Sequence, residues 1–189
     1  GVAVAKMIFL AVDPTAEFDQ RMDDGDLMHV GDEAFYITCN SRALLKAERL
    51  VLNTMQRMSG IATLSNRYAF EVEDLPVTVL DTRKTTPNLR FLEKWAVRLG
   101  GCDNYRDGLY DRIMIKDNHI DASGTITAAI EGVQTFFREN NMQLPITVEV
   151  RNLVELMEVL NVGQVDRIML DNFEVPILKE AVAHIDGRF

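Results

Sequence analysis

The stretch VTVLDTRKTTP (residues 77–87) passes from an apolar run into a charged segment and then into a proline. Val77 to Leu80 is short, apolar and rich in β-branched side chains, which predicts a buried strand. Pro87 suits the first turn of a helix, and Thr86 before it suits the N-cap. The stretch therefore predicts a strand that leads directly into a helix.

Two adjacent cations, Arg83 and Lys84, lie at this junction. A helix N-terminus presents unpaired N–H groups and a partial positive charge, so two added cations predict an anion-binding site. They stand out because the chain is acidic, with 20 Lys and Arg against 29 Asp and Glu and a net charge of −9. This balance argues against a general nucleic-acid surface.

Three further apolar runs are separated from the first and from one another by helical stretches, and each lies close to ionisable residues. Lys116 follows one run, Glu149 lies in the next, and Asp171 follows the last. Alternation of strands and helices predicts an α/β fold with a parallel sheet or barrel, in which the C-terminal strand ends line the active site. The predicted strands after the first are Arg112 to Ile115, Ile146 to Val150 and Arg167 to Leu170, and the predicted helices are Arg90 to Leu99, Thr125 to Glu139 and Leu153 to Leu160.

The first 72 residues have a different pattern, in which two strand-like segments lie between two helical ones. Clusters of Asp and Gly separate the strand-like segments and predict turns. Ser41 is the predicted cap of the second helix, and Gly60 is expected to break or kink it. The predicted elements are a helix from Val2 to Val12, strands from Glu17 to Met22 and from Glu33 to Thr38, and a helix from Ser41 to about Val72.

A glycine-rich loop, residues 100–111, follows the third predicted helix. Gly100 and Gly101 suit the end of that helix. Arg106 in the same loop offers a planar fork that binds carboxylate or phosphate through two hydrogen bonds, so it is a candidate second anion clamp.

Composition limits the class of protein. With 189 residues, 47% of them hydrophobic, the chain can bury a sizeable core. No apolar run approaches the ~20 residues that a membrane span needs, and no secretory leader is expected. Cys39 and Cys102 are too few for a disulfide framework, so we expect reduced thiols and a cytoplasmic location.

Four other conspicuous side chains have structural interpretations. His119 has no second ligand at fixed spacing, so a hydrogen-bonding role is favoured over a metal or catalytic one. Met55 and Met58 share a helical face with leucines and predict core packing, as does Trp95.

Several segments together resemble the quinolinate phosphoribosyltransferase family, also called nicotinate-nucleotide pyrophosphorylase (carboxylating). The resemblance implies transfer of a phosphoribosyl group from phosphoribosyl pyrophosphate to quinolinate, with loss of CO₂, to give nicotinate mononucleotide and pyrophosphate in NAD biosynthesis. The segments, in order, are AERLVLNTMQRMSGIAT (47–63), VLDTRKTTPNLRFLEKWAVRLGG (79–101), NYRDGLYD (104–111), IKDNHI (115–120), VEV (148–150) and MLDNF (169–173).

The resemblance also implies a domain plan. Residues 46–189 would form an incomplete β/α barrel of the type II phosphoribosyltransferase kind, and residues 1–45 would be the remainder of an N-terminal α/β sandwich domain. A complete barrel usually needs ~250 residues. Family members are therefore expected to continue beyond both ends of the chain, with glycine-rich phosphate-binding loops after Phe189.

Position by position, the resemblance implies a set of site residues. The acidic pair Glu149 and Asp171 would act in catalysis with Lys84 and would hold Mg²⁺ directly or through water. In the family the residue at Arg49 reaches the active site of the neighbouring subunit, which implies a homodimer with shared sites. The implied substrate-binding residues are Arg49, Arg83, Lys84, Arg106, Lys116, Glu149 and Asp171.

Other interpretations stay open at this point. The family commonly has histidine where this chain has Tyr105, so the role of that position is undetermined. A related phosphoribosyltransferase could take another aromatic acceptor. Lys116 could instead form a Schiff base in a barrel aldolase, or the chain could bind a dicarboxylate without turnover.

Overall fold

The computed structural model describes residues 1–189, and the chain divides into two compact units. The first unit comprises Gly1–Asp107 and the second comprises Gly108–Phe189. The expected domain boundary after residue 45 stays a prediction. None of the helices is both long and apolar enough to cross a membrane.

The first unit begins with the four predicted elements. The two strands pair antiparallel, with Glu17 opposite Thr38, and both are shorter than the sequence predicts. Aspartate caps help to end the segments: the Asp13 carboxylate accepts the Thr15 and Asn40 N–H groups at 3.0 and 2.9 Å. The elements are α1 (Val2–Val12), β1 (Glu17–Gln20), β2 (Phe35–Thr38) and α2 (Ser41–Glu71).

The core of these elements lies between the two helices. Ala5 and Phe9 of α1 and Ala47 and Val51 of α2 are at most 4% exposed. Their four-residue spacing places each pair on one helical face, which explains the packing. Phe18 and Phe35 stack against this core with ring centroids 4.4 Å apart.

Helix α2 differs from its prediction at two points. Its N-cap is Asn40 rather than Ser41, because the Asn40 side chain accepts a hydrogen bond from the Arg42 N–H at 2.9 Å. The helix runs without a break through Gly60 to Glu71, so the expected break is wrong. An isolated glycine costs a helix only about 1 kcal/mol, which a long packed helix can absorb.

Helix α3 (Arg90–Leu99) has the predicted bounds, and it packs on α2. Met58 and Ala96 are at most 1% exposed where they meet, with Trp95 packed beside them. Met55 packs against the first core, so the packing roles of both methionines and of Trp95 are confirmed. Gly100 ends the helix as predicted.

The run from Val77 to Leu80 is not the buried strand that the sequence predicts. Only Leu80 forms a bridge, parallel to Asp103. Val77 and Leu80 are 54% and 39% exposed. Apolar, β-branched residues favour a strand when they pack against neighbouring strands and side chains. Most of this run has no such neighbours in residues 1–189.

Thr86 and Pro87 do not begin a helix either. The Leu89 N–H donates to the Thr86 carbonyl at 3.1 Å, and Asn88 has a φ of 64°. Proline followed by a left-handed residue is typical of a type II turn, and a left-handed residue cannot continue a right-handed helix. Helix α3 therefore begins at Arg90, after the turn.

The second unit alternates strands and helices around one parallel sheet with the order β3-β4-β5. Ile115 pairs with Val148, and Val150 pairs with Leu170. Thr125 caps α5 by accepting the Ala128 N–H at 3.0 Å. The elements are β3 (Ile113–Ile115), α4 (Asp117–Ser123), α5 (Ile126–Asn140), β4 (Ile146–Val150), α6 (Leu153–Val162), β5 (Arg167–Leu170) and α7 (Val175–Ile185).

The core of the second unit lies where the sheet meets its helices. Val148 and Val150 of the central strand are fully buried, together with Ile130 of α5, Leu156 of α6 and Ala181 of α7. The strand alternates the apolar residues Ile146, Val148 and Val150 with Thr147, which is also fully buried, and Glu149. The predicted fold class, an α/β protein with an incomplete β/α barrel, is confirmed.

We expect Gly100→Ala to destabilise the chain. A Cβ at this position would lie 2.3 Å from the Ala62 carbonyl oxygen and 2.5 Å from the Ser65 Cβ, so α2 and α3 would have to separate. Overpacking of this kind costs about 1–3 kcal/mol of unfolding free energy. Gly60→Ala is the matched control, since nothing lies near its added Cβ, and it should stabilise by about 0.5–1 kcal/mol. Urea unfolding that gives both variants the same stability would contradict the close approach.

Candidate active site

The parallel sheet of the second unit brings a cation and a carboxylate together at its C-terminal edge. The Lys116 Nζ lies 2.7 Å from the Glu149 Oε2. Lys116 follows β3 directly, and Ile115 pairs with Val148 one residue before Glu149, so the register places the two side chains side by side. The Glu149 side chain is 12% exposed and that of Lys116 is 40% exposed, which leaves the ammonium accessible.

Asp171 reaches the same edge from the neighbouring strand. Its backbone N–H donates to the Val150 carbonyl at 3.0 Å, which fixes the first residue after β5 beside the end of β4. The Asp171 side chain is exposed. Strand ends that meet at one edge of a parallel sheet are the usual place for catalytic groups in β/α folds. Glu149 and Asp171 are therefore on adjacent strands at that edge, as the sequence predicts.

The helix that follows Lys116 fixes the backbone of this lysine. The Lys116 N–H donates to the Nδ1 of His119 at 3.0 Å, and Lys116 is itself the N-cap of α4. His119 Nδ1 is therefore an acceptor, and its predicted structural role in hydrogen bonding is confirmed. This contact orients the start of α4 close to the Lys116–Glu149 pair.

Arg151 is a further cation at this edge that was not among the predicted site residues. Its Nε donates to Glu155 Oε1 at 2.8 Å, and its terminal nitrogens lie 3.2 and 3.3 Å from Asp121 Oδ1. The hydrogen bond to Glu155 raises the pKa of Arg151. The four-residue spacing of Arg151 and Glu155 on a helix start could have revealed this pair. Two carboxylates already occupy its donors.

In the first unit, Arg83 and Lys84 differ in burial. Lys84 is exposed, and its N–H donates to Thr82 Oγ1 at 3.1 Å. Arg83 is partly buried, and its buried Nε has no hydrogen-bond partner. A buried donor without an acceptor costs about 1–3 kcal/mol, and native proteins rarely tolerate one without a reason. A guanidinium held in this way is consistent with a residue placed for an anionic ligand.

The segment that carries these cations is anchored to two helices of its unit, α2 and α3. Glu93 of α3 accepts the Thr86 N–H at 3.0 Å and pairs with Arg57 of α2 at 2.7 Å. Arg57 also donates to Thr86 Oγ1 at 3.1 Å. The expected helix N-terminus is thus replaced by a turn whose N–H group is already satisfied. The positive charge of this segment comes from Arg83 and Lys84 and not from a helix dipole.

Arg106 and Arg49 have contrasting positions. Arg106 is 9% exposed, in the loop that follows α3. The Arg49 side chain is 75% exposed on α2, with its guanidinium 4.0 Å from Glu48. A helix rises about 1.5 Å per residue, so Arg49 lies about 12 Å along α2 from Arg57, which touches the Thr86 turn. The structure therefore separates Arg49 from the segment that carries Arg83.

The predicted site residues are distributed over the two units. The first unit contains the four cations Arg49, Arg83, Lys84 and Arg106. The second contains Lys116, Glu149 and Asp171, of which the first two are in direct contact. In residues 1–189 no three Asp, Glu, His or Cys side chains form a cluster that could hold a metal ion by themselves.

Two domain models of one protein family match consecutive parts of the chain. The model of the quinolinate phosphoribosyl transferase N-terminal domain matches residues 1–59, and that of the C-terminal domain matches residues 61–189. The chain belongs to the quinolinate phosphoribosyltransferase family.

Curated members of the family agree over the whole chain. "Quinolinate phosphoribosyltransferase [decarboxylating] 1" from Nicotiana glauca is 43% identical to this chain over 203 residues. The match covers 100% of this chain and 57% of the relative. The chloroplastic "Nicotinate-nucleotide pyrophosphorylase [carboxylating]" from Arabidopsis thaliana is 44% identical to this chain. That match covers 100% of this chain and 58% of the relative. The chain spans less than two thirds of the length of these family members.

A solved structure shares the fold. The crystal structure of NadC from Streptococcus pyogenes superposes with a TM-score of 0.91 at 39% identity, covering 100% of this chain and 65% of that one. This agreement supports the α/β fold class.

We expect the Glu93 network to make stability depend on pH. Burial raises the pKa of Glu93, but hydrogen bonds from Thr86 and Arg57 outweigh it, so the pKa lies below its ordinary 4.5. A lowered folded-state pKa gives stability that is complete above pH 4.5 and is lost as the pH falls through the lower folded value. Glu93→Gln should remove this dependence and flatten the acid limb of thermal unfolding.

The exposed Glu73 offers the matched control, since Glu73→Gln should keep the acid limb of the unmodified protein. Parallel acid limbs for the Glu93→Gln variant and the unmodified protein would show that Glu93 does not contribute.

Proposed function

We propose that the protein transfers the phosphoribosyl group of phosphoribosyl pyrophosphate to quinolinate, with decarboxylation, to give nicotinate mononucleotide, pyrophosphate and CO₂. Its main support is that both domains of the family match in order along the chain. The relatives are named quinolinate phosphoribosyltransferase and nicotinate-nucleotide pyrophosphorylase, which are names for an enzyme of this reaction. The enzyme would be a pentosyltransferase of NAD biosynthesis.

The charges of the chain suit these substrates. Quinolinate is a dicarboxylate, and the second substrate carries a phosphate and a pyrophosphate, so both need cations in a chain of net charge −9. Arginine offers a bidentate fork for a carboxylate. We assign Arg83, Arg106 and Lys116 to the pyridine carboxylates and Lys84 to the phosphoribosyl end.

Catalysis in this proposal is mostly positioning and electrostatics. The proposed reaction requires no nucleophile from the protein. Glu149 and Asp171 would bind ribose hydroxyl groups and favour the positive charge that develops at the anomeric carbon as pyrophosphate leaves. Glu149 is pre-oriented for this role by its 2.7 Å contact with Lys116.

The decarboxylation needs orientation more than a catalytic group. Once the ribosyl bond forms, the positive charge on the ring nitrogen can stabilise the carbanion that the departing CO₂ leaves at the adjacent ring carbon, and that carbon then takes up a proton from water. The cations that bind the carboxylates would then hold the leaving group in place. Exclusion of water from around the departing carboxylate would favour its conversion to neutral CO₂.

We also propose that Mg²⁺ takes part. Mg²⁺ is usually held by one or two carboxylates with substrate phosphates and waters as the other ligands. Glu149 and Asp171 at one sheet edge fit such an ion, which explains why a larger protein cluster is not needed. When bound, Mg²⁺ would neutralise the pyrophosphate charge.

A homodimer is the proposed assembly, in which Arg49 of one subunit binds substrate in the neighbouring subunit. The exposed guanidinium of Arg49, distant along α2 from the Arg83 segment, supports this role. The proposed location is the cytoplasm, although some relatives are named as mitochondrial or chloroplastic. Both cysteines are free thiols, which suits a reducing compartment.

No comparison supports the other candidate functions. The ammonium of Lys116 lies against a carboxylate, whereas a Schiff-base lysine must react as the neutral amine. Borohydride trapping with a carbonyl substrate should therefore leave Lys116 unmodified. Magnesium-dependent release of pyrophosphate with quinolinate would favour transfer over binding alone.

We expect Arg83→Ala and Arg106→Ala to weaken quinolinate binding in the full-length protein. Loss of one partner of a buried charge pair typically costs ~2–5 kcal/mol, which is at least tens of fold in affinity. Calorimetry measures the change directly. Arg98→Ala is the matched control, because Arg98 is exposed on α3. Unchanged affinity in both site variants would refute the carboxylate assignment.

The acidic residues should affect turnover instead. We expect Asp171→Asn and Glu149→Gln to lower kcat by about 10²–10³, the usual loss when one group that stabilises developing charge is removed. Quinolinate affinity should stay close to that of the unmodified protein. Asp186→Asn is the control, because Asp186 is exposed with a φ of 51°, which asparagine adopts readily. Loss of quinolinate affinity with kcat retained would overturn these roles.

A further inference from the structure

Lys94 of α3 is a buried lysine with a single close carboxylate partner. Its Nζ lies 2.5 Å from Asp81 Oδ1, and the two side chains are only 4% and 8% exposed. Burying two charges costs several kcal/mol per ion unless geometry and hydrogen bonding compensate. A well-packed apolar pair would often be equally stable at such a place. The pair therefore calls for a role besides stability.

The Asp81 carboxylate also binds a second segment of the chain. Its Oδ1 accepts the Tyr105 N–H at 2.8 Å. The Asn104 amide, in the orientation that satisfies its neighbours, donates to Asp81 Oδ2 at 2.8 Å and to the Lys94 carbonyl at 2.9 Å. The Asp81 N–H donates to the Asp103 carbonyl at 3.0 Å. One carboxylate thus joins residues 81–86, which carry Arg83, to residues 103–107, which carry Arg106.

Arg90, one helical turn before Lys94, bridges the same two segments. Its Nε donates to Thr85 Oγ1 at 3.1 Å, and its NH1 donates to the Asp107 carbonyl at 3.0 Å. The Lys94 Nζ is itself 3.8 Å from Asp107 Oδ1. Two cations on one face of α3 therefore contact both segments, and neither is assigned to a substrate.

We propose that Asp81 and Lys94 are positioning residues that lock these two segments to each other, with Arg90 as a second bridge. The Asp81 carboxylate accepts hydrogen bonds from the Lys94 ammonium, the Tyr105 N–H and the Asn104 amide, so the segment that carries Arg83 and Lys84 is fixed to the segment that carries Arg106. The cations are then held in place before the ligand arrives, which lowers the ordering cost of binding. The link to quinolinate rests on the proposed function, whereas the locking of the segments does not.

The first arm of the test is amide hydrogen exchange on the full-length protein. Lys94→Met and Asp81→Asn each leave one buried charge without its partner. We expect exchange in residues 81–86 and 103–107 to accelerate together by about tenfold or more, with the α1–α2 core unchanged. The double variant removes both charges and keeps an acceptor for the Tyr105 N–H, so protection should return in both segments.

Val51→Ala is the control for simple destabilisation, since it creates a cavity in the α1–α2 core. It should lower stability without accelerating the two segments selectively. The locking is overturned if each single variant loosens only its own segment, or if the whole unit loosens equally. It is also overturned if the double variant is no better protected than the single variants.

The second arm measures quinolinate affinity by calorimetry on the same variants. Both single variants should bind about tenfold or more weakly, the double variant should recover, and Val51→Ala should be unaffected. Faster exchange with unchanged affinity would overturn the positioning role. If the unmodified protein does not bind quinolinate, the proposed function fails, and the exchange arm alone decides whether Asp81 and Lys94 lock the segments.

Discussion

The buried ion pair of Asp81 and Lys94 is the interaction on which the cation-bearing segments of the first unit depend. Two charges taken out of water are stable only where geometry and hydrogen bonding compensate both of them. The Asp81 carboxylate meets this condition because it binds a second segment of the chain as well as Lys94. Asp81 is buried against Lys94 and hydrogen-bonded to the segment of Arg106. One buried carboxylate therefore joins the segments of Arg83 and Arg106. These two arginines are at least partly buried, while Lys84 is exposed.

In the second unit, sheet register sets the ion pair at the strand ends. Parallel pairing of β3 with β4 sets Lys116 against Glu149, so the cation is compensated by its neighbouring strand. Arg151 at the same edge has two carboxylates, Glu155 and Asp121, and its donors are occupied. Lys116 has one carboxylate and is 40% exposed, so it can still contact a ligand. Arg151 therefore has a structural role, whereas Lys116 keeps an accessible ammonium group.

Patterns that depend on local sequence could be predicted, and those that depend on distant partners could not. The ends of α1 and α3 follow from helical spacing and from the proline and glycine that come after them. Val77 to Leu80 has the composition of a strand, but pairing needs a neighbour that composition does not record. The Asn88 turn was missed because Thr86 and Pro87 also suit a helix start.

The candidate site shows the same division. Lys116, Glu149 and Asp171 follow from the positions where apolar runs end, because strand ends meet in any parallel sheet. The buried pair of Asp81 and Lys94 was not predicted from the sequence. The two residues are 13 positions apart, and Lys94 alone resembles an ordinary surface lysine of a helix. Screening limits charge effects to about 10 Å at moderate salt, so a buried charge needs a compensating partner close by in space. That partner need not be close by in sequence, and helical or strand spacing therefore does not reveal the pair of Asp81 and Lys94.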